Sequence, residues 1–102
     1  MAVANQETFG PLAAILRVAD EDAAVSLANA STYGLSSNIW TADIDRACCM
    51  AQRIEAGGVF VNGVTASDPR TPVGGVKASG YGRELGPWGL REFVNLQTVS
   101  IS

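Results

Sequence analysis

Blocks of apolar residues separated by short polar segments run along the 102-residue chain, and their spacing predicts alternating strands and helices. The apolar run "LAAILRV" (12–18) predicts a strand. The following segment, "ADEDAAVSLANAS" (19–31), predicts a helix with Asp20 as its N-cap, because a carboxylate there accepts hydrogen bonds from the free amides of the first turn. Ala24, Leu27 and Ala28 give this helix an apolar stripe.

A second helix has the clearest periodicity in the chain. It begins after Asp43, a good N-cap, and ends near Gly57, where a left-handed C-terminal cap is expected. Its apolar residues recur at the i, i+3, i+4, i+7 spacing of one buried face: Ile44, Ala47, Cys48, Ala51 and Ile54. Strands are predicted on either side, at 35–41 and 58–64, and the second is apolar enough to be covered on both faces.

The last third of the chain is less regular. A long loop is predicted from 65 to 83, then a short helix over 85–93 interrupted by Pro87 and Gly89, then a terminal strand in "VNLQTVSIS". Strands and helices that alternate in this way favour an α/β fold with a mainly parallel sheet flanked by helices.

Composition narrows the classes of function. Charged residues make up 17% of the chain, below the ~25% usual for soluble domains, so part of the surface is expected to pack against something else. A net charge of −3 argues against a nucleic-acid partner. No apolar run approaches a membrane span and no signal peptide is evident, so a cytoplasmic location is expected. There is no histidine, and adjacent Cys48 and Cys49 do not have metal-ligand spacing, so no metal site is predicted.

The stretch "TPVGGVKASGYGREL" (71–85) raises the question of phosphate binding, since it combines four glycines with two basic residues. Its spacing fits neither a P-loop nor the Gly-x-Gly-x-x-Gly turn, because Lys77 comes too late for the first and Leu85 occupies the last glycine position of the second. The alternative is an irregular loop in which the glycines permit tight turns. That alternative leaves Lys77, Arg83 and Glu84 without a role.

Three segments in order resemble the NAD(P)-dependent aldehyde dehydrogenase family. "ETFGPL" resembles its E-x-F-G-P motif, and "PVGGVKASGYGRELGPWGLREF" is similar to its P-F-G-G-x-K-x-S-G-x-G-R-E-x-G motif. Between them, "YGLSSNIWTADIDRACCMAQRIEAGGVFVNG" resembles the helix and strand pair before the family's substrate loop. The loop "NGVTASDPRTPVGG" most resembles the succinate-semialdehyde dehydrogenase branch.

The resemblance assigns expected roles to two cofactor-binding residues. Glu7 corresponds to the glutamate that accepts hydrogen bonds from the nicotinamide ribose, and Phe9 to the phenylalanine packed near the nicotinamide. The structural alternative for Glu7 is a solvated charge at the end of a strand. The structural alternative for Phe9 is a residue of the hydrophobic core.

It also assigns roles in the glycine-rich half. Ser67 corresponds to a serine that holds the remote carboxylate of a semialdehyde, and Val73 stands where an aromatic residue usually lines the substrate funnel. Glu84 corresponds to a buried glutamate that passes protons away from the site; a salt-bridge residue is the alternative. Arg83 is expected to brace a subunit interface, with Asn95 in place of the usual glutamate.

The resemblance covers only the C-terminal part of such an enzyme. It implies that residues 1–92 are part of the catalytic domain and that 93–102 form an oligomerisation strand. It also implies an aldehyde substrate, NAD or NADP as the cofactor, and assembly into a homo-oligomer. The family's catalytic cysteine, in a Gly-Gln-x-Cys setting, and its glutamate base have no counterpart here, so the chain alone is expected to be inactive. A non-catalytic assembly module that acts through its terminal strand is the rival interpretation, and an isolated nucleotide-binding domain is disfavoured by the loop spacing.

Overall fold

The computed structural model describes residues 6–102, which form three helices and four short strands. The helices are α1 (Glu21–Asn29), α2 (Ile44–Ala51) and α3 (Gly86–Arg91). The strands are β1 (Tyr33–Gly34), β2 (Ser36–Ile39), β3 (Gly58–Val61) and β4 (Val76–Lys77). None of the described helices is long and apolar enough to cross a membrane.

Both predicted N-caps are confirmed. Asp20 accepts a hydrogen bond from the amide of Ala23 at 2.8 Å, and Asp43 accepts one from the amide of Arg46 at 3.0 Å. The carboxylate of Glu21 then joins the two helices, bonding Arg46 at 2.6 Å and Arg53 at 3.1 Å. The hydrogen bond to Glu21 raises the pKa of Arg46 above its ordinary value.

The strands form two small sheets. β2 and β3 pair in parallel, with Ser36 opposite Gly58 and Ile39 opposite Val61, and α2 connects them. β1 and β4 pair antiparallel, with Tyr33 opposite Lys77. The α/β class is therefore confirmed, whereas the mainly parallel sheet is correct only for the β2–β3 pair. β4 lies inside the predicted long loop, and local sequence could not indicate it because its paired residues are 42 and 44 positions apart in the chain.

Two local predictions are wrong. Residues 12–18 form no strand. The C-cap of α2 is Gln52, in the right-handed helical conformation, so the cap lies five residues before Gly57. An apolar run predicts that a segment is buried, but a strand also needs a partner edge, and the described residues supply none at 12–18. Residues 95–102 are neither helix nor strand within the chain, and their pairing with a neighbouring subunit stays a prediction.

The predicted buried face of α2 is only partly covered. Ala47 is fully buried, but Ile44 is 53% exposed and Cys48, expected on the core face, is also exposed. Among the described residues the buried apolar side chains are those of Val25, Ile39 and Ala47. The predicted two-sided cover of β3 is incomplete too, since its four residues are all half-buried.

The chain is extended for its mass. Its accessible surface is 8300 Å², whereas a compact monomer of 10.6 kDa exposes about 5,500 Å². Its radius of gyration is 17.3 Å, against about 13 Å for a compact domain of this length. Large apolar side chains lie on this surface almost fully exposed, among them Ile15, Tyr81, Leu96 and Ile101. The low charge content is therefore matched by an unusually large apolar surface.

Candidate functional site

A pair of backbone hydrogen bonds joins the two ends of the glycine-rich segment. The amide of Val73 donates to the carbonyl of Glu84 at 2.7 Å, and the amide of Glu84 donates back to Val73 at 2.8 Å. This bridge places side by side two residues that the sequence assigned to different tasks, substrate lining and proton transfer.

The side chain of Arg83 bonds to backbone carbonyls of the same segment. Its Nη1 donates to the carbonyl oxygens of Gly75 at 2.9 Å and Gly82 at 2.6 Å, and both bonds are partly buried. A guanidinium suits this task because its several N–H donors lie in one rigid plane. Arg83 is therefore structural, as expected, but its bonds are internal to the loop. Its contribution to a subunit interface, with Asn95 as the neighbouring residue, stays a prediction.

Glycine is required where this loop packs against the rest of the chain. A Cβ at Gly57 would lie 1.7 Å from the carbonyl oxygen of Gly74, and a Cβ at Gly74 would lie 2.7 Å from the carbonyl oxygen of Gly82. No side chain fits at such distances, so backbone contacts backbone directly. These glycines serve the packing of the loop, which answers the question that their clustering raised.

A cleft of about 440 Å³ lies beside this bridge, and Val73, Tyr81, Arg83 and Glu84 are among the residues that line it. Val73 is half-buried there. Glu84 is exposed, so the burial expected of a proton-relay glutamate is not found within this chain. Its carboxylate joins none of the ion pairs of the described residues, and so the salt-bridge alternative finds no support either.

Ser67 lies in the exposed segment between β3 and the Val73–Glu84 bridge. It lines neither this cleft nor the larger cleft beside Glu7. Asp68, next to it, is bound by Arg70 through three side-chain bonds, from Nε at 2.9 and 3.2 Å and from Nη2 at 2.5 Å. The Arg70 hydrogen bonds lower the pKa of the Asp68 carboxyl below its ordinary value. The Asp68 carboxylate is therefore paired with Arg70.

The two residues expected to bind cofactor lie in the N-terminal arm. Glu7 lines an open cleft of about 610 Å³, together with Ser31, Tyr33 and Ser79. Phe9 is 89% exposed, which excludes a role in the core of this chain. The structure thus places both side chains on accessible surface, and it does not bring them into one cleft with Ser67, Val73 or Glu84.

Asn62 is a positioning residue that sequence reasoning missed. Its side-chain amide bonds both backbone groups of Thr41, accepting from the nitrogen at 2.9 Å and donating to the oxygen at 2.7 Å. Asn62 has a φ of 52°, in the left-handed region that asparagine tolerates better than most residues. The Asn62-Gly63 pair at a strand end was the available signal. The amide fixes where β3 ends and where the loop that carries Ser67 begins.

Lys77 is the second missed residue. Its Nζ donates to the carbonyl oxygens of Asn29 at 2.7 Å and Ser31 at 3.2 Å, and it pairs with the carboxylate of Glu55 at 2.6 Å. The carbonyls at the end of α1 carry the negative end of the helix dipole, where a cation is favourable. Asn29 completes the junction by accepting from the amide of Glu55 at 2.8 Å. Lys77 thereby anchors the glycine-rich loop to α1.

No metal centre is formed by the residues from 6 to 102, where no three potential metal ligands are grouped. Cys48 and Cys49 are free thiols exposed on α2. Neither lies in a cleft beside the other candidate residues.

Comparison with known proteins places this geometry in context. The model of the aldehyde dehydrogenase family matches residues 1–99. The chain is 52% identical over 102 residues to succinate-semialdehyde dehydrogenase [NADP(+)] 1 of Mycobacterium bovis, covering all of this chain and 22% of the relative. It is 54% identical over 99 residues to the succinate semialdehyde dehydrogenase [NAD(P)+] Sad of Escherichia coli, covering 97% of this chain and 21% of the relative.

A solved structure gives the same result in three dimensions. The succinic semialdehyde dehydrogenase of Streptococcus pyogenes, crystallised with NADP+ as the cofactor, superimposes with a TM-score of 0.92 at 42% identity. The match covers 96% of this chain and 22% of that enzyme. The chain thus spans about a fifth of the length of the relatives it matches.

Proposed function

Since the chain belongs to the aldehyde dehydrogenase family, we propose that it forms part of an NAD(P)-dependent enzyme that oxidises succinate semialdehyde to the acid. The observation that carries the proposal is the similarity, over the whole chain, to relatives named for that substrate. The complete enzyme of which the chain would be part is called the parent enzyme below.

The residues present fit a nicotinamide cofactor on one side of the site. Glu7 offers two carboxylate oxygens at the edge of an open cleft, and a ribose diol needs two acceptors. Phe9 presents an exposed ring that can limit where a flat heterocycle sits. The cofactor, when bound, would accept the hydride that leaves the aldehyde carbon. The nucleophilic cysteine and the general base would come from the remainder of the parent enzyme.

The substrate side is assigned to the loop after β3. Ser67 would donate its hydroxyl proton to the remote carboxylate of the semialdehyde, and Val73 would line the passage to the reacting carbon. Val73 is smaller than the aromatic residue usual in the family, which leaves more room beside the Val73–Glu84 bridge. Glu84, exposed in this chain, would transfer protons only after the rest of the catalytic domain covers it.

The excess surface of the chain supports its role as part of a larger domain. About 2,800 Å² more area is exposed than a compact monomer of this mass would show, which is the size of a large interface.

A second candidate, an assembly module, is favoured by one observation: Leu96 is 98% exposed and Ile101 93% exposed in the unpaired C-terminal segment. A strand from this segment could add to the sheet of another subunit.

The proposed substrate is tested by changing Ser67 to Ala in the parent enzyme. Loss of one hydrogen bond to a charged group costs about 1.5–3 kcal/mol. We therefore expect kcat/KM for succinate semialdehyde to fall roughly 10- to 150-fold. Butyraldehyde has a similar carbon chain without the carboxylate, and its kcat/KM should change less than about threefold.

Thr65→Ala provides a matched control, since it removes a hydroxyl two residues away that already bonds Ser36 and Asn38. Its effect should be similar for both aldehydes. Equal losses for both aldehydes in the Ser67 variant would contradict a carboxylate-binding serine.

The rival assembly module is tested separately: an upstream reading frame without a Gly-Gln-x-Cys motif would remove the enzyme interpretation.

A further inference from the structure

Asp68 and Arg70 form a compact ion pair one residue beyond the proposed carboxylate-binding serine. The Arg70 guanidinium approaches both carboxylate oxygens, with Nε 2.9 Å from Oδ1 and Nη2 2.5 Å from Oδ2. The backbone amide of Arg70 also donates to Oδ1 at 2.8 Å. With a further bond from Nε to Oδ2 at 3.2 Å, four bonds from one residue fix the direction of the Asp68 carboxylate.

The backbone around the pair is fixed as well. The carbonyl oxygen of Asp68 accepts from the amide of Thr71 at 3.0 Å and from its hydroxyl at 3.2 Å. The carbonyl oxygen of Pro69 accepts from the amide of Gly86 at 3.0 Å, at the start of α3. The turn that carries the pair is thus attached to a helix, so the orientation of Asp68 does not depend on the side-chain bonds alone.

An aspartate at this position is unfavourable for the proposed substrate unless its charge is cancelled. Succinate semialdehyde carries a carboxylate, and an unpaired carboxylate next to Ser67 would repel it. The side chain of Asp68 is 36% exposed and that of Arg70 is 85% exposed, so water screens the site only in part on the Asp68 side. An aspartate is ordinarily ionised at neutral pH, and the Arg70 hydrogen bonds lower the pKa of Asp68 further, so protonation does not remove the charge.

We propose that Arg70 is a specificity-determining positioning residue that cancels the charge of Asp68, so that the loop accepts an anionic aldehyde beside Ser67. The inference rests on the proposed function. Arg70 acts through Asp68, whose carboxylate engages its Nε and Nη2 donors. Direct binding of the substrate carboxylate by the remaining N–H groups is the alternative that the double variant below distinguishes.

The test compares an anionic and a neutral aldehyde in variants of the parent enzyme. Arg70→Gln leaves the Asp68 charge uncancelled, and kcat/KM for succinate semialdehyde should fall about three- to tenfold. The loss should lie mainly in KM, because the substrate carboxylate is remote from the reacting carbon and is bound equally before and during reaction. Butyraldehyde should change less than about twofold.

Three further variants isolate the charge effect. The double variant Asp68→Asn/Arg70→Gln removes both charges and should return succinate semialdehyde to within about twofold of the unmodified enzyme. Arg70→Lys keeps the cation and should retain most of the activity. Arg91→Gln removes the same positive charge from an exposed arginine elsewhere, outside the ion pairs of the described residues, and should leave both aldehydes unaffected.

Ionic strength gives an independent measurement. The Arg70→Gln deficit should shrink as salt rises from about 0.05 to 0.5 M, because the repulsion acts through a partly solvated site. A structural defect of the loop would not respond in this way. Activity with butyraldehyde also shows whether each variant is folded.

Two outcomes would overturn the inference. Equal losses for both aldehydes in Arg70→Gln would mean that the pair only shapes the loop. A deficit that the double variant fails to relieve would mean that Arg70 contacts the substrate carboxylate directly. Failure of the proposed function is distinguishable from both, since it would show as an unmodified parent enzyme with no preference for succinate semialdehyde over butyraldehyde.

Discussion

The anchoring of the glycine-rich loop by Lys77 leads to a quantitative prediction about local stability. The side chain of Lys77 is 24% exposed, and its Nζ reaches the carbonyl oxygens of Asn29 and Ser31 and the carboxylate of Glu55. Lys77→Met keeps an unbranched side chain but removes the donors and the charge. The left-handed backbone conformation of residue 77, with a φ of 54°, is equally unfavourable for both residues, so the comparison isolates the side-chain head.

The magnitude follows from the three contacts. A hydrogen bond from a charged donor contributes about 1.5–3 kcal/mol, so two such bonds would contribute about 3–6 kcal/mol if they were fully shielded. Water can reach the carbonyl of exposed Ser31, which we expect to halve the cost to about 1.5–3 kcal/mol. The pair with Glu55, whose side chain is 58% exposed, contributes less than about 1 kcal/mol.

Native-state hydrogen exchange in the parent enzyme measures this cost locally. The amide of Ala78 donates to the carbonyl of Thr32 at 3.0 Å, beside the β1–β4 pair, and becomes exposed when the loop detaches. A loss of about 1.5–3 kcal/mol should accelerate its exchange roughly 10- to 150-fold. The amide of Asn62, which bonds Ile39 at 2.8 Å in the other sheet, is an internal reference and should be unchanged.

Glu55→Gln is the matched control, because it removes the ion pair and leaves both carbonyl contacts. It should accelerate exchange at Ala78 by less than about fivefold. Equal effects of the two variants would show that the ion pair alone holds the loop. Unchanged exchange in Lys77→Met would refute the anchoring role altogether.

The remaining predictions concern the 102-residue chain by itself. We expect no NAD(P)H production from succinate semialdehyde, because the chain contains no Gly-Gln-x-Cys nucleophile motif and Cys48 and Cys49 lie on the surface of α2; sustained turnover by the pure chain would refute this. We also expect the chain to self-associate, because its exposed apolar surface includes Ile15 and Leu96 and it carries few charges. A single monomeric species in analytical ultracentrifugation at high micromolar concentration would contradict that expectation.

Local features of the chain were predictable from sequence because they depend on near neighbours. Asp20 and Asp43 cap helices at the predicted places, since a capping bond spans only three residues. The β2–α2–β3 unit follows from a periodic helix between two apolar runs. The candidate site was assigned in a different way: Ser67, Glu7 and Phe9 were selected by resemblance to a family, since periodicity or spacing alone would not have selected them, and their roles stay predictions.

The tertiary structure decided everything that depends on which distant surfaces meet. The β1–β4 pair joins residues 42 and 44 positions apart, and its two-residue strands carry too little pattern to be recognised in sequence. The contact of Gly57 with Gly74 turns a glycine that resembled a helix cap into a backbone packing site. Residues 12–18 and the α2 face that includes Cys48 were predicted to be a strand and a buried stripe, but an apolar pattern encodes only a tendency to be covered. Covering requires a partner surface; within the described residues, 12–18 have none and the α2 face has one only around Ala47.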